Sequence, residues 1–113
     1  MPGRSHNAMK ALAPVFSALG DETRLELVAR LSAGEPLSIA QLASGAPVTR
    51  QAITKHLHVL ADAGVLRGVR RGREQVWQLT PRQLLEARKC LERIAGQWDR
   101  ALARLQAMVE EER

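Results

Sequence analysis

Tyrosine is missing from the chain, and the other large aromatics are few: Phe16, Trp77 and Trp98. Platforms on which single-stranded bases stack need several aromatics on one surface, so that mode of nucleic-acid binding is disfavoured. Cysteine is nearly absent as well. Cys90 stands alone, which excludes a disulfide or a thiolate metal cluster within one chain. No apolar run reaches the ~18 residues of a membrane span, so no membrane partner is expected. The opening "MPGRSHNAMK" lacks the apolar core of a signal peptide. A cytoplasmic protein is the expectation, with residues 1–7 as a disordered N-terminal arm.

What is present is a chain of 113 residues, the length of one compact domain. A core of that size is modest, and a partner subunit is a common source of extra stability. The charge is concentrated. Between Thr49 and Arg73 lie six basic residues (Arg50, Lys55, Arg67, Arg70, Arg71, Arg73) and one acidic residue, Asp62. That segment nets +5, equal to the formal charge of the whole chain, so the remainder balances to zero. A localised basic segment is the electrostatic footprint of a polyanionic partner.

Apolar periodicity and caps predict helices over most of the length. The first runs from about Ala8 to Leu19 and stops at Gly20. Asp21 caps a second, with Leu25, Val28 and Leu31 expected on its inner face and an end near Gly34. Ser38 and Gln41 form a capping box, stapled by Leu37 and Leu42, that opens a short third helix over Ile39–Ser44. After the "GAP" turn, Thr49 caps a fourth helix that reaches Ala63 and ends at Gly64. The stretch "VLRGVRRGREQVWQL" reads as a β-hairpin turning at Gly72, with Trp77 packing it onto the body.

Thr80 and Pro81 open a last helix that extends to about Glu110. Leu84, Leu91, Trp98 and Leu105 recur every seven residues, and Ala87, Ile94, Ala101 and Met108 each follow three residues later. This is an a/d stripe on a helix ~45 Å long, more than a small domain can cover. A symmetric homodimer is therefore expected, with Leu84, Leu91, Ile94, Trp98, Leu102 and Leu105 in its interface and the first helix beside them.

The element order predicts a mainly α fold with a small β-hairpin, a winged helix-turn-helix with a long C-terminal dimerisation helix. Residues 8–80 form the DNA-binding domain and 81–113 the dimerisation helix of one compact unit. In such a layout the fourth helix enters a major groove while the hairpin rides on the backbone. Projected at about 100° per residue, Ile53, Leu57 and Leu60 cluster inward. Thr54, His58, Gln51, Asp62 and Lys55 fan outward, with Thr49 and Arg50 at the tip. Gln, Arg, Lys and Thr are the side chains that pair with base edges, and Arg70, Arg71 and Arg73 suit phosphates. The projection separates His56, inward and structural, from His58, outward and a candidate contact. Two residues apart, they do not share a face and cannot form an i, i+4 metal pair. No carboxylate pair, nucleophile–base set or phosphate loop is visible, so an enzyme is not expected.

The phrases "ALGDETRLELVARL", "LSIAQLA", "VTRQAITKHLHVLADAGVL" and "RRGREQVWQL" together resemble the ArsR/SmtB family of bacterial winged-helix repressors, over about Phe16 to Leu79. The resemblance implies a transcriptional repressor with DNA contacts from Thr49, Arg50, Gln51, Thr54 and Lys55, and wing contacts from Arg71 and Arg73. Many members of that family hold a metal through cysteines in the third helix, where this chain has Ser38 and Ala40. Others build zinc sites on the last helix, where "LLEARKCLERIAGQWDR" has no histidine. The likeness is to the branch without those residues, so no metal site and no cofactor is expected.

The expected function is a homodimeric repressor of double-stranded DNA that recognises an inverted repeat. One alternative is a redox- or soft-metal-responsive repressor that uses Cys90. Another is a winged-helix protein-interaction module without DNA function.

Overall fold

The computed structural model describes residues 2–112. Helix α1 (Pro2–Leu19) is followed by α2 (Glu22–Leu31), strand β1 (Leu37–Ser38), α3 (Ile39–Ala43), α4 (Arg50–Asp62), strands β2 (Leu66–Arg71) and β3 (Glu74–Leu79), and α5 (Pro81–Glu111). No helix among these residues is long and apolar enough to cross a membrane.

Local chemistry sets the boundaries. Asp21 Oδ2 accepts from the Arg24 backbone N–H at 3.0 Å and starts α2. Ser38 Oγ accepts from Gln41 N at 3.2 Å while Gln41 Oε1 accepts from Ser38 N at 2.9 Å, a complete capping box for α3. The far end of α4 closes as a Schellman motif. Gly64 takes φ 79°, its N–H reaches Ala61 O, and the Val65 N–H reaches Leu60 O, both at 2.9 Å. Leu60 and Val65 are both fully buried, supplying the apolar contact that accompanies this ending.

The core lies where all elements meet. Helix α1 contributes Leu12, Val15 and Ala18; α2 contributes Leu27 and Leu31; α3 gives Leu42. Helix α4 turns in Ile53, Leu57 and Leu60, the sheet adds Leu66 and Trp77, and α5 adds Ala87 and Cys90.

Several sequence expectations change. Helix α1 begins at Pro2, within the stretch 1–7 expected as an arm, and Met1 lies outside the described residues. Proline at the first helical position is preorganised for that start. Leu25 points outward at 52% exposure, and Leu27 with Leu31 forms the inner face of α2. An i, i+4 leucine pair sets that phase, and Leu25, two positions before Leu27, falls on the far side. The hairpin gains a third strand, giving the order β1-β3-β2, with Leu37 opposite Trp77 and Ser38 opposite Val76. Two residues carry no alternation signal, and both were already accounted for as staple and cap. Thr80 makes no side-chain cap bond; its backbone N–H instead reaches Val65 O at 2.8 Å.

Candidate nucleic-acid interface

The tip of α4 is built by Thr49, whose Oγ1 accepts from Ala52 N at 3.1 Å. That bond satisfies one of the free N–H groups of the first turn and fixes the direction in which the helix leaves the "GAP" turn. Gln51 and Lys55 are exposed on the side opposite Ile53, Leu57 and Leu60, and Arg50 is exposed at the N-terminal tip. Thr54 is half-buried, and its hydroxyl donates to Arg50 O at 2.8 Å, so its proton is engaged with the backbone. The methyl group and the oxygen lone pairs remain for a partner.

His58 is exposed but does not stand free. Its ring centroid lies 5.9 Å from that of Trp77 with the planes tilted by 55°. A tilted pair at this separation is an attractive aromatic contact. It joins α4 to the wing, a contact that the helical projection does not show. Trp77 is buried, as the sequence suggested for a side chain that packs the hairpin to the body.

The wing is the β2–β3 hairpin, with Arg71 opposite Glu74 and a two-residue turn at Gly72 and Arg73. Gly72 adopts φ 64° and Arg73 does not have positive φ, the pattern of a type II′ turn. Arg70, Arg71 and Arg73 are all exposed near this tip. Adjacent strand residues point to opposite faces, so Arg70 and Arg71 straddle the hairpin instead of sharing one side. Arg67 is used internally. With the Gln78 amide oxygen turned toward it, the guanidinium donates through Nε and Nη2 at 3.0 and 2.9 Å. Among the described residues, the Arg and Lys ion pairs are Arg88–Glu92 and Lys89–Glu86, which leaves Arg50, Lys55, Arg70, Arg71 and Arg73 without carboxylate partners.

Two anchoring arginines went unnoticed in the sequence. Arg30 donates to Leu42 O at 2.6 Å and to Gln41 O at 2.9 Å, tying α2 to the end of α3 just before the turn. Arg24 donates through Nε to Ala18 O at 2.5 Å and places Nη1 3.3 Å from His56 Nδ1. Asp21 Oδ2 lies 3.9 Å from the same ring nitrogen, so a carboxylate sits beside His56. The Arg24 backbone N–H, followed by the charges of Arg24 and His56, holds the Asp21 carboxyl below its ordinary range against the opposing effect of burial. These contacts join residues 12 and 32 positions apart and leave no periodic trace. His56 is the half-buried, hydrogen-bonded residue that the projection indicated.

On α5 the expected interface residues divide. Leu84 and Ile94 pack against the chain's own core. Leu91, Leu102, Leu105 (57% exposed) and Trp98 (64%) remain uncovered. Cys90 is buried at 3% exposure in the core. Among the described residues, no group of three or more His, Cys, Asp and Glu side chains comes together as a metal site.

A short helix, a turn, a reading helix and a basic hairpin on one body define a winged helix-turn-helix. Residues 19–69 match the family described as a helix-turn-helix domain. The chain is 37% identical over 97 residues to the HTH-type transcriptional regulator Rv2034 of Mycobacterium tuberculosis, a match that covers 86% of this chain and 87% of the relative. Among solved structures, an ArsR-like transcriptional regulator from Rhodococcus sp. RHA1 is 39% identical, with a TM-score of 0.74 over 90% of this chain and 95% of that one. A homodimeric winged helix-turn-helix DNA-binding domain from Mycobacterium bovis shares the fold at 18% identity and a TM-score of 0.64, over 82% and 85% of the two chains. The chain belongs to the ArsR family of helix-turn-helix transcriptional regulators.

Proposed function

We propose that this regulator is a homodimeric repressor that binds an inverted-repeat operator and occludes a promoter, without a metal cofactor. The carrying observation is the juxtaposition of the polar outer face of α4 with unpaired arginines at the wing tip. In this reading Arg50, Gln51, Thr54 and Lys55 meet base edges, and Thr49 lies at the helix tip. Arg70, Arg71 and Arg73 neutralise phosphates on the flanking backbone. His58 contributes at the rim, where its ring leans on Trp77. Repression over activation follows from the family resemblance.

The uncovered stripe on α5 supports the second copy. Trp98, Leu102, Leu105, Met108 and Val109 form a contiguous apolar patch of the kind that marks an interface. Two copies related by a twofold axis would place two reading helices about one helical turn of DNA apart. The proposed organisation keeps residues 8–80 as the reading unit and 81–113 as the pairing helix. Burial of Cys90 in the chain's own core favours a packing role over a sensing one.

The test is a mobility-shift titration with DNA from upstream of the gene. A specific complex is expected, with log affinity falling by about 0.9 per contacted phosphate for each unit of log salt. No shift at low salt, or binding without salt dependence, overturns the proposal. The latter result, together with a stable protein partner, would favour an interaction module.

A further inference from the structure

The cluster at the junction of α1, α2 and α4 has a chemistry that base contacts do not use. Arg24 grips the last turn of α1 through Nε and Ala18 O, while its Nη1 approaches His56 Nδ1 on the inner edge of the reading helix. Asp21 Oδ2 stands on the other side of the same nitrogen, at 3.9 Å. One nitrogen thus faces a donor and an acceptor. With its proton on Nε2, His56 accepts from Arg24 at Nδ1. With both nitrogens protonated it cannot accept, it repels the guanidinium, and it is drawn to the carboxylate.

The site is partly screened from solvent, with side-chain exposures of 24% for His56 and 35% for Asp21. Among the described residues, the ionisable groups that face the ring are Asp21 and Arg24 from α2 and its cap. Helix α3 carries none, and α1 offers the Ala18 carbonyl to Arg24. Of the β2 arginines, Arg67 is turned to Gln78, and Arg70 and Arg71 lie out along the wing. On α4 itself, Arg50, Lys55, His58 and Asp62 occupy exposed positions.

We propose that Arg24 and His56 form a proton-sensitive tie that positions the reading helix against the end of α1. Gain of a second proton by His56 then lowers discrimination between DNA sequences while leaving general attraction to DNA intact. The inference rests on the DNA-binding reading above. Both are positioning residues, since neither lies on the outward face of α4. A helix displaced by a fraction of an ångström loses aligned base contacts, whereas phosphate contacts tolerate such a shift.

The experiment uses the full chain and two duplexes: the tightest one recovered by selection from a random pool, and a scrambled duplex of the same length and composition. Affinity for each is measured between about pH 8 and about pH 5.5, the range in which imidazoles exchange protons. The ratio of the two affinities is expected to fall about fivefold toward the acid end, the scale of one lost hydrogen bond. In His56→Gln, which retains an acceptor but cannot titrate, the ratio should stay flat. In His58→Gln the fall should persist, and in Arg24→Lys the ratio should be low throughout. If His56→Gln does not fold by circular dichroism, the wild-type and Arg24→Lys profiles and the wild-type imidazole ¹⁵N shifts decide. Those shifts must then show Nδ1 unprotonated at about pH 8. A pH-independent ratio in the wild type, a fall that survives in His56→Gln, or a fall that His58→Gln abolishes overturns the tie alone. Absence of binding to either duplex at every pH overturns the DNA reading as well.

Discussion

Helices α4 and α5 are both amphipathic, yet the buried stripe runs the length of α4 and only the first part of α5. On α4, Ile53, Leu57 and Leu60 are fully buried, and a largely polar remainder faces outward. On α5 the stripe is covered only at its start, by contacts around Ala87 and Cys90 with Leu84 and Ile94 alongside. From Trp98 onward its large apolar side chains are exposed among the described residues, and the molecule extends 67 Å along its longest axis. In the proposed function the helix with a covered apolar face reads DNA, and the helix with an uncovered one pairs with a second copy.

The sharpest way to break this contrast is to charge the bare stripe. Trp98→Glu combined with Leu105→Glu is expected to leave a folded monomer by sedimentation and to weaken operator binding about a hundredfold or more, since two linked heads become separate ones. A variant that remains dimeric would show that the stripe is not the interface. The second contrast uses truncation. Leu57→Ala on α4 should cost about 2–5 kcal/mol of stability at any protein concentration, because it leaves a cavity in the chain's own core. Leu102→Ala should matter only where dimers form, so its effect on the melting temperature should grow with protein concentration. Equal behaviour of the two would place Leu102 in a core the single chain already completes.

Much of this division could be read from the sequence. The seven-residue recurrence on α5 and the inward cluster on α4 follow from helical period alone, and the caps Asp21, Ser38 and Thr49 stand where their side chains bond the backbone. The wing turn was legible because Gly72 is the residue able to take φ 64° beside two β-rich runs. Other features depend on long-range meetings. Leu25 was misplaced because a ten-residue helix offers more than one plausible inner face, and contact with the core selects among them. Strand β1 exists only because β3 passes beside Leu37 and Ser38. Arg24, Arg30 and the His58–Trp77 contact join elements that only the folded chain brings together.

Within the reading surface, α4 and the wing are expected to fail differently. Gln51→Ala should cost about 1–3 kcal/mol on preferred DNA and little on scrambled DNA, measured as a ratio of affinities. Arg71→Ala should weaken both similarly and lower the salt slope by about one. If Arg71→Ala changed sequence preference instead, the wing would be reading a groove and the simple division between helix and hairpin would give way.

The smallest effect concerns how the two helices begin. Thr49 and Thr80 stand at the same position relative to α4 and α5, and both have extended backbone. Thr49 bonds the Ala52 N–H, whereas Thr80 makes no side-chain cap bond and its helix starts on Pro81, which has no N–H to satisfy. Thr49→Ala is therefore expected to cost about 1 kcal/mol in denaturant unfolding, and Thr80→Ala a few tenths at most. The reading helix would feel the loss twice, because fraying of its first turn also releases Arg50 and Gln51 from their fixed directions. Affinity for preferred DNA should then fall in Thr49→Ala while Thr80→Ala leaves it unchanged. Equal penalties for the two would mean that the entry to α4 is held by the turn before it, with Val48 packed on the core, and that its hydroxyl adds nothing.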